Sequence, residues 1–152
     1  MAQPRLLAFA GSARINSFNK LLVKIAAQGA RNAGAAVTLI DLKDYPLPLF
    51  DQDLHESQGL PENAVKLKQL FLDHDGLLIS SPEHNSSFSS LLKNTIDWVS
   101  RSAPGEPGLA AFDGKVATLM SASPGALGGL RGLVQVRALL GNIKIIVLQR
   151  RL

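Results

Sequence analysis

Short, almost uninterrupted runs of apolar residues recur along the chain, and stretches with helical periodicity separate them. These runs predict strands at residues 5–10, 36–41, 76–81, 115–121 and 143–148. The intervening periodicity predicts helices at about 17–33, 61–73, 90–101 and 130–141, with 42–59 as a long surface loop. Strands that are apolar throughout are typical of a parallel sheet covered by helices on both faces. The alternation of strand and helix therefore predicts an α/β three-layer sandwich with right-handed crossovers.

Individual residues mark where the predicted helices begin and end. Pro61 occupies the expected first position of one helix, and Ser89 or Ser90 is suited to cap another. Gly34 is placed to stop the first helix. The apolar positions of that first helix that keep helical spacing are Leu21, Leu22, Ile25 and Ala26.

Length and composition narrow the class of protein. The 152 residues fit one domain spanning 1–152, and the 46% of hydrophobic residues can fill its core. The chain has no cysteine, so a disulfide framework and a thiol nucleophile are excluded. The first apolar run, Leu6 to Ala10, is too short for a signal-peptide core or a membrane span. We therefore expect a cytoplasmic protein with no membrane partner.

The net charge of +4 is small but unevenly distributed. From residue 130 onward the chain has no acid, and its basic residues are Arg131, Arg137, Lys144, Arg150 and Arg151. Such a tail could attract nucleic acid, but it lacks interleaved aromatic residues and a known binding motif. A field that attracts an anionic cofactor is the better interpretation, and we expect no nucleic-acid partner. The histidines, His55, His74 and His84, are too scattered to predict a metal site.

Three loops that follow predicted strands 1, 3 and 4 are rich in serine, asparagine or glycine. In an open parallel sheet, ligands bind at the carboxyl ends of the strands, so these loops are the candidate site. The third loop, 121–129, contains Gly128-Gly129, which would allow a ligand to approach the backbone closely. The alternative for this glycine pair is a flexible turn without a ligand.

The first loop, 11–19, opens a helix whose unpaired N–H groups favour an anion. Arg14 adds a positive charge that suits phosphate oxygens, and neighbouring hydroxyls add short donors. The alternative is that Asn16 or Ser17 only caps the helix. This loop alone does not decide between phosphate binding and capping.

The second loop could lie against a planar cofactor. His84 and Asn85 could supply a ring contact and polar groups, whereas the alternative for His84 is a surface imidazole without a role. On the helix that follows, i,i+4 pairs such as Lys93–Asp97 are typical of a solvated face. We expect Trp98 to serve packing or a subunit interface rather than the cofactor.

Together these residues resemble the signatures of the NADPH-dependent FMN reductase family, which includes quinone, azo-dye and chromate reductases. The sequence Gly-Ser-x-Arg-x-x-Ser-x-Asn at 11–19 is similar to the family's phosphate loop. Pro-Glu-His-Asn at 82–85, with Leu-Lys-Asn-x-Ile-Asp-Trp at 92–98, is similar to its second signature. The loop that ends at Gly129 is similar to its third flavin contact. These motifs stand in the family's order and spacing over about residues 6–148.

The resemblance implies a flavodoxin-like fold with a five-stranded parallel sheet of order 2-1-3-4-5. It implies that NADPH or NADH reduces bound FMN, and that electrons pass to a small acceptor such as a quinone, an azo compound, free flavin or a metal oxyanion. No side chain is expected to be catalytic or to bind a metal. The residues implied to bind FMN are Ser12, Arg14, Ser17 and Asn19 at the phosphate, Pro82, Glu83, His84 and Asn85 beside the ring, and Ser121, Ser123 and Gly128 along its pyrimidine side. A homodimer or homotetramer is also implied, with the helix from Lys93 to Trp98 near the subunit contact.

Three features depart from the family pattern. His84 stands where the family has tyrosine, and Ser89-Ser90 where it has Pro-Gly. The sequence stops at Leu152, after the fifth strand, so we expect the family's final helix to be missing. One face of the sheet, beside the first helix, would then need a cover from a partner subunit or a rearrangement, or the chain would be a fragment.

Two other classes of function stay open on these residues. A flavodoxin-type electron carrier would bind FMN without oxidising NAD(P)H. A truncated, non-catalytic remnant would not bind flavin at all. A nucleic-acid binder acting through the basic tail is a third and weaker alternative, which salt-dependent retention on DNA would reveal.

Overall fold

The computed structural model describes residues 2–103 and 105–149. Its sheet consists of β1 (Arg5–Ala10), β2 (Ala36–Leu39), β3 (Gly76–Ser80), β4 (Val116–Met120) and β5 (Ile146–Val147). The helices in the described residues are α1 (Phe18–Asn32), α2 (Gln52–Gln58), α3 (Glu62–Leu72), α4 (Ser90–Val99) and α5 (Leu130–Asn142), with a 3-10 helix at Leu42–Asp44. All strand pairs are parallel and their order is β2-β1-β3-β4-β5, which confirms the predicted flavodoxin-like α/β fold.

The two central strands fill the core on both faces of the sheet. β1 and β3 pair along almost their whole lengths, and β3 is buried at every position. Side chains alternate between the faces along a strand. Leu7 and Phe9 therefore enter one hydrophobic cluster, whereas Ala8 and Ala10 enter a second one on the side of α1.

The buried face of α1 differs from the face that apolar spacing suggests. Leu22 and Ala26 are partly buried, but Leu21 and Ile25 are 56% and 71% exposed. The residues that α1 buries are Asn19, Val23 and Ala27. Because β1 presents Ala8 and Ala10 at the centre of this face, α1 lies close to the sheet with its small residues and turns larger ones such as Leu21 and Ile25 outward.

The predicted helix ends are partly confirmed. Gly34 directly follows the last turn of α1 with a φ of 95°, a conformation that glycine adopts without strain. The Ser89 hydroxyl accepts a hydrogen bond from the Leu92 N–H at 3.2 Å and caps α4. Pro61 is the residue before α3 rather than its first helical residue.

The outer strands, β2 and β5, are shorter than predicted because residues at their predicted ends form hydrogen bonds with the adjacent helices instead. Asp41 accepts a hydrogen bond from the Lys43 N–H at 3.0 Å and caps the 3-10 helix, which ends β2 early. At the other edge, the N–H groups of Ile143 and Lys144 bond to carbonyl groups in the last turn of α5. β5 therefore begins only at Ile146.

The segment 42–59 contains helical turns where the sequence predicts only a loop. Asp51 accepts a hydrogen bond from the Leu54 N–H at 3.0 Å and thereby caps α2. The indole Nε1 of Trp98 donates to the Pro48 carbonyl at 2.8 Å, and the indole is fully buried. Trp98 therefore packs within the chain and ties this segment to α4.

An apolar groove of about 620 Å³ runs between α1 and α5 over β4. Its lining includes Leu22, Met120, Leu133 and Leu148. The groove lies on the face beside α1 for which the sequence predicts a missing cover. No helix in the described part of the chain is long and apolar enough to cross a membrane.

The basic residues near the end of the chain make contacts within the protein. The Arg137 guanidinium donates to two carbonyl groups at the end of β5, both at 2.9 Å. Lys144 pairs with Asp113 at 2.9 Å. Arg150 and Arg151 lie outside the described residues. Part of the predicted basic tail thus neutralises or caps groups of its own chain.

The buried Lys68 on α3 holds the segment that follows α4 in place through a hydrogen bond and an ion pair. Its ammonium donates to the Arg101 carbonyl at 2.6 Å and pairs with the Glu106 carboxylate. The same carboxylate accepts a hydrogen bond from the Ala103 N–H at 2.8 Å. The hydrogen bond from Lys68, and after it that from Ala103, lowers the pKa of Glu106 below its usual range.

We predict that Glu106→Gln lowers the melting temperature at neutral pH by roughly 3–6 °C, because a buried ammonium loses its charged partner. A carboxyl group with a lowered pKa in the folded chain stabilises the fold above its ordinary pKa, and this contribution disappears as the pH falls through the lowered value. The difference between the two proteins should therefore shrink in acid, as followed by circular dichroism from about pH 7 to about pH 3. A difference that does not change with pH would contradict this role.

Candidate functional site

Three loops converge at the carboxyl ends of β1, β3 and β4 and enclose a cleft of about 360 Å³. The predicted FMN-binding residues that line this cleft are Ser12, Arg14, Ser17, Asn19, Pro82, Glu83, His84 and Ser123. Asn85, Ser121 and Gly128 belong to the same loops but are not among the residues that line it. The fold thus gathers side chains from three separate loops at one edge of the sheet.

The first loop presents polar groups that the fold itself does not use. Ser17 is the N-cap residue of α1, but its side chain makes no capping hydrogen bond. The alternative that Asn16 or Ser17 caps the helix is therefore confirmed for the position of Ser17, but no side-chain hydrogen bond makes the cap. Arg14 is exposed at the cleft, and none of the salt bridges within residues 2–103 and 105–149 involves it.

Asn19 differs from its neighbours because its side-chain amide makes hydrogen bonds within the protein. Its Oδ1 accepts hydrogen bonds from the Ser80 hydroxyl at 2.9 Å and from the Ala122 N–H at 3.1 Å. Its Nδ2 donates to the Ala122 carbonyl at 3.0 Å. Asn19 is only 4% exposed. It therefore joins α1, the end of β3 and the third loop, although it also borders the cleft.

Ser89 joins the first and second loops in the same manner. Its hydroxyl donates to the Gly11 carbonyl at 2.6 Å while it caps α4. A Cβ atom on Gly11 would lie 3.1 Å from the Leu92 Cβ, so the contact requires a small residue there. The serine that replaces the proline of the family pattern thus builds this turn through its side chain.

The second loop reverses direction in a tight hairpin turn. The backbone N–H and carbonyl groups of His84 and Ser87 bond to each other at 2.9 and 3.0 Å. The two residues between them, Asn85 and Ser86, have φ angles of 51° and 66°. Positive φ at both central positions is the pattern of a type I′ turn, which asparagine tolerates well. Asn85 is thus placed at the tip of the turn, and His84 lines the cleft.

Glu83 directs its carboxylate toward α5. Oε1 accepts hydrogen bonds from Nε and Nη2 of Arg131 at 3.0 and 2.8 Å. Oε2 accepts one from the Gly132 N–H at 3.0 Å. The Gly132 hydrogen bond, with a further contribution from Arg131, lowers the pKa of Glu83 below its usual range against the opposing effect of desolvation.

The third loop contains one serine hydroxyl that makes a hydrogen bond within the described residues and one that does not. The Ser123 hydroxyl accepts a hydrogen bond from the Gly125 N–H at 3.2 Å. The Ser121 hydroxyl is buried and has no hydrogen-bond partner within the described chain. Gly129 faces it so closely that a Cβ atom would lie 2.0 Å from the Ser121 oxygen. Of the glycine pair, Gly129 is the one that steric contact requires.

The exposed Arg14 and the N-terminus of α1 at this cleft suit an anionic ligand. The described residues contain no group of three His, Asp or Glu side chains able to hold a metal ion. Arg131 and Gly132 also contact a residue of the cleft, which the sequence alone did not indicate. An acid in one loop and an arginine on a later helix give no local pattern, so no sequence signal could have paired them.

Comparison with known proteins gives a consistent set of similarities. The model of the NADPH-dependent FMN reductase family matches residues 4–151. An NAD(P)H-dependent FMN reductase of Pseudomonas aeruginosa is 32% identical over 133 residues, which are 88% of this chain and 67% of that protein. A quinone reductase of Escherichia coli is 31% identical over 140 residues, which are 92% of this chain and 71% of that protein.

A solved structure extends these similarities to the fold. The flavoenzyme NAD(P)H:(acceptor) oxidoreductase FerB of Paracoccus denitrificans superposes with a TM-score of 0.82 at 25% sequence identity. The superposition covers 98% of this chain and 77% of FerB.

We predict that Asn19→Ala destabilises the fold by about 2–4 kcal/mol, because a buried hydroxyl and two backbone groups lose their partner. Asn16→Ala in the same loop, where the side chain is exposed, should change stability by less than about 0.5 kcal/mol. Urea denaturation measures both variants. Equal stabilities would show that the amide of Asn19 does not join these elements.

Proposed function

The chain belongs to the NADPH-dependent FMN reductase family and is an FMN-dependent NAD(P)H oxidoreductase, and on this basis we propose that the cleft at the carboxyl ends of β1, β3 and β4 holds the flavin. The observation that carries this proposal is the set of polar groups of the first loop that the fold does not use. A cation, a hydroxyl and a helix N-terminus face one cleft at Arg14 and Ser17.

The groups present fit the phosphate of FMN. Ser17 lies at the N-terminus of α1, where the first-turn N–H groups are directed, and such a terminus favours an anion. Arg14 can form charge-assisted hydrogen bonds to phosphate oxygens. Ser12 accepts a hydrogen bond from the Arg14 N–H at 3.3 Å, which keeps the loop curved around this point.

The second and third loops fit the ring. Pro82 and His84 border the cleft from one loop, and Ser123 borders it from the other. The buried Ser121 hydroxyl beside Gly129 has no partner within the described chain, and a donor or acceptor on a ligand edge would satisfy it. Asn85 and Gly128 are proposed to reach the ring through backbone groups of the same loops.

The chain's own residues bind and orient in this proposal, and no side chain forms a bond to substrate. The chemistry that bound FMN supplies is acceptance of a hydride from NAD(P)H and transfer of electrons to an acceptor. The acceptors proposed are quinones or free flavin, in line with the relatives named above, with azo compounds and metal oxyanions as further candidates.

We further propose that the protein works in the cytoplasm as a homodimer or homotetramer and binds no nucleic acid. The apolar side chains that α1 exposes, such as Leu21 and Ile25, support association of subunits. The contacts of Arg137 and Lys144 within the chain reduce the basic surface available to nucleic acid. Light scattering on the purified protein would measure the assembly, and a monomeric mass would contradict it.

The decisive experiment is a fluorescence titration with FMN, followed by anaerobic addition of NADPH and then of a quinone. We expect the fluorescence to be quenched, the visible absorbance to bleach and the quinone to restore it. A flavodoxin-type carrier would bind FMN without bleaching by NADPH. A non-catalytic remnant would leave the fluorescence unchanged.

Arg14→Gln should raise the Kd for FMN by about tenfold or more, because the phosphate loses a charge-assisted hydrogen bond. It should leave the Kd for riboflavin, which has no phosphate, almost unchanged. Lys24→Gln on the exposed face of α1 is the matched control, since it removes the same charge away from the cleft. An equal effect of the two variants would indicate only an effect of net charge.

A further inference from the structure

The carboxylate of Glu83 joins the second loop to the start of α5 through one ionised group. It accepts hydrogen bonds from the Arg131 guanidinium at 2.8 Å and from the Gly132 N–H at 3.0 Å. The Glu83 side chain is only 12% exposed, whereas that of Arg131 is 59% exposed. A carboxylate with so little access to water requires such donors. The bond to the backbone of α5 is therefore the inner and better shielded half of the contact.

Gly132 lets α5 approach the second loop closely enough for this contact. A Cβ atom on Gly132 would lie 3.1 Å from the Ser87 carbonyl oxygen and 3.2 Å from the Glu83 Cβ. Gly129, at the N-cap of α5, lies against Ser121 with a φ of 91°. At Gly132 the backbone of α5 thus lies directly against the second loop, whereas Gly129 lets the start of α5 approach Ser121 in the third loop. The bonds of the Glu83 carboxylate then fix the position of the second loop relative to the N-terminus of α5.

Glu83 borders the candidate flavin cleft, and so does the loop that leads into its partner helix, α5. Glu83 and His84 line it from the second loop, and Ser123 and Pro124 line it from the third loop. The third loop leads directly into α5. A shift of the second loop along α5 would therefore change the distance between the two walls of the cleft.

We propose that Glu83 is a positioning residue, which sets the spacing of the second and third loops for the flavin ring by bonding Arg131 and Gly132. This inference rests on the proposed flavin site. It gives the Glu83 carboxylate a role different from the ring contact that the sequence resemblance implies. The phosphate end of the cleft, at Arg14 and Ser17, belongs to the first loop and is held by other bonds.

The test compares two flavins in Glu83→Gln, which keeps the size of the side chain but turns an N–H₂ donor toward one of its present donors. We expect the Kd to rise about tenfold for both FMN and riboflavin, because the ring end is affected and the phosphate end is not. Arg14→Gln should affect FMN alone. Glu62→Gln is the matched control, because it removes a carboxylate paired with Lys66 on the exposed side of α3.

Two further measurements separate positioning from a loss of fold stability. At saturating FMN, the visible circular dichroism of the flavin should differ between Glu83→Gln and the unsubstituted protein, because the ring lies between differently spaced loops. In a double-mutant cycle, Arg131→Gln should add less than about twofold when it is introduced into Glu83→Gln, because the bond that it would remove has already been lost. A variant that only melts at a lower temperature would show neither effect.

The possible outcomes distinguish the inference from its premise. If the unsubstituted protein binds neither flavin, the proposed function and this inference both fail. If it binds FMN and Glu83→Gln binds both flavins equally well with the same dichroism, only the inference fails. Weaker FMN binding with unchanged riboflavin binding would place Glu83 at the phosphate end and would also overturn it.

Discussion

The candidate site depends on one constraint. Where a strand that is buried on both faces ends, its backbone N–H and carbonyl groups still need hydrogen-bond partners. β3 is buried to its last residue, so water cannot serve the groups where it ends. The Gly11 N–H donates to the Ser80 carbonyl at 2.9 Å, and the Ser81 N–H donates to the Met120 carbonyl at 2.9 Å. These hydrogen bonds extend the pairing of β1 with β3 and of β3 with β4 beyond the ends of the strands. They thereby hold the three loops together at the same edge of the sheet.

The polar side chains at this edge form two groups, which differ in whether they make hydrogen bonds within the protein. Asn19 and Ser89 are buried and fully engaged, and each joins elements that are distant in the sequence. Arg14 and Ser17 face the cleft without such bonds. The first group provides hydrogen bonds that the fold needs, and the second is the group that we propose binds the ligand. On this proposal, a substitution in the first group changes the shape of the cleft, whereas one in the second changes its affinity for the ligand.

Local patterns predicted the strands, the helices and the meeting of three loops at one edge of the sheet, because strand burial is expressed in nearby residues, whereas the strand order came from the family resemblance. β1 lies where its apolar run predicts it, and the three loops meet at the expected edge. The orientation of α1 was not predictable from spacing, since it depends on which side chains of the sheet it packs against, among them Ala8 and Ala10 of β1. The contact of Glu83 with Arg131 and Gly132 was equally hidden, because it joins residues that only the folded sheet brings together.

The histidine at position 84 shows how the site can vary while its frame is kept. The backbone of His84, rather than its ring, closes the hairpin turn with Ser87. The neighbouring Glu83 carries the bond to α5, so the imidazole has no part in holding the loop. A family that usually has tyrosine there can therefore exchange the ring without disturbing the turn. The residue that borders the cleft is free to change because the bonds that place it belong to the backbone and to its neighbour.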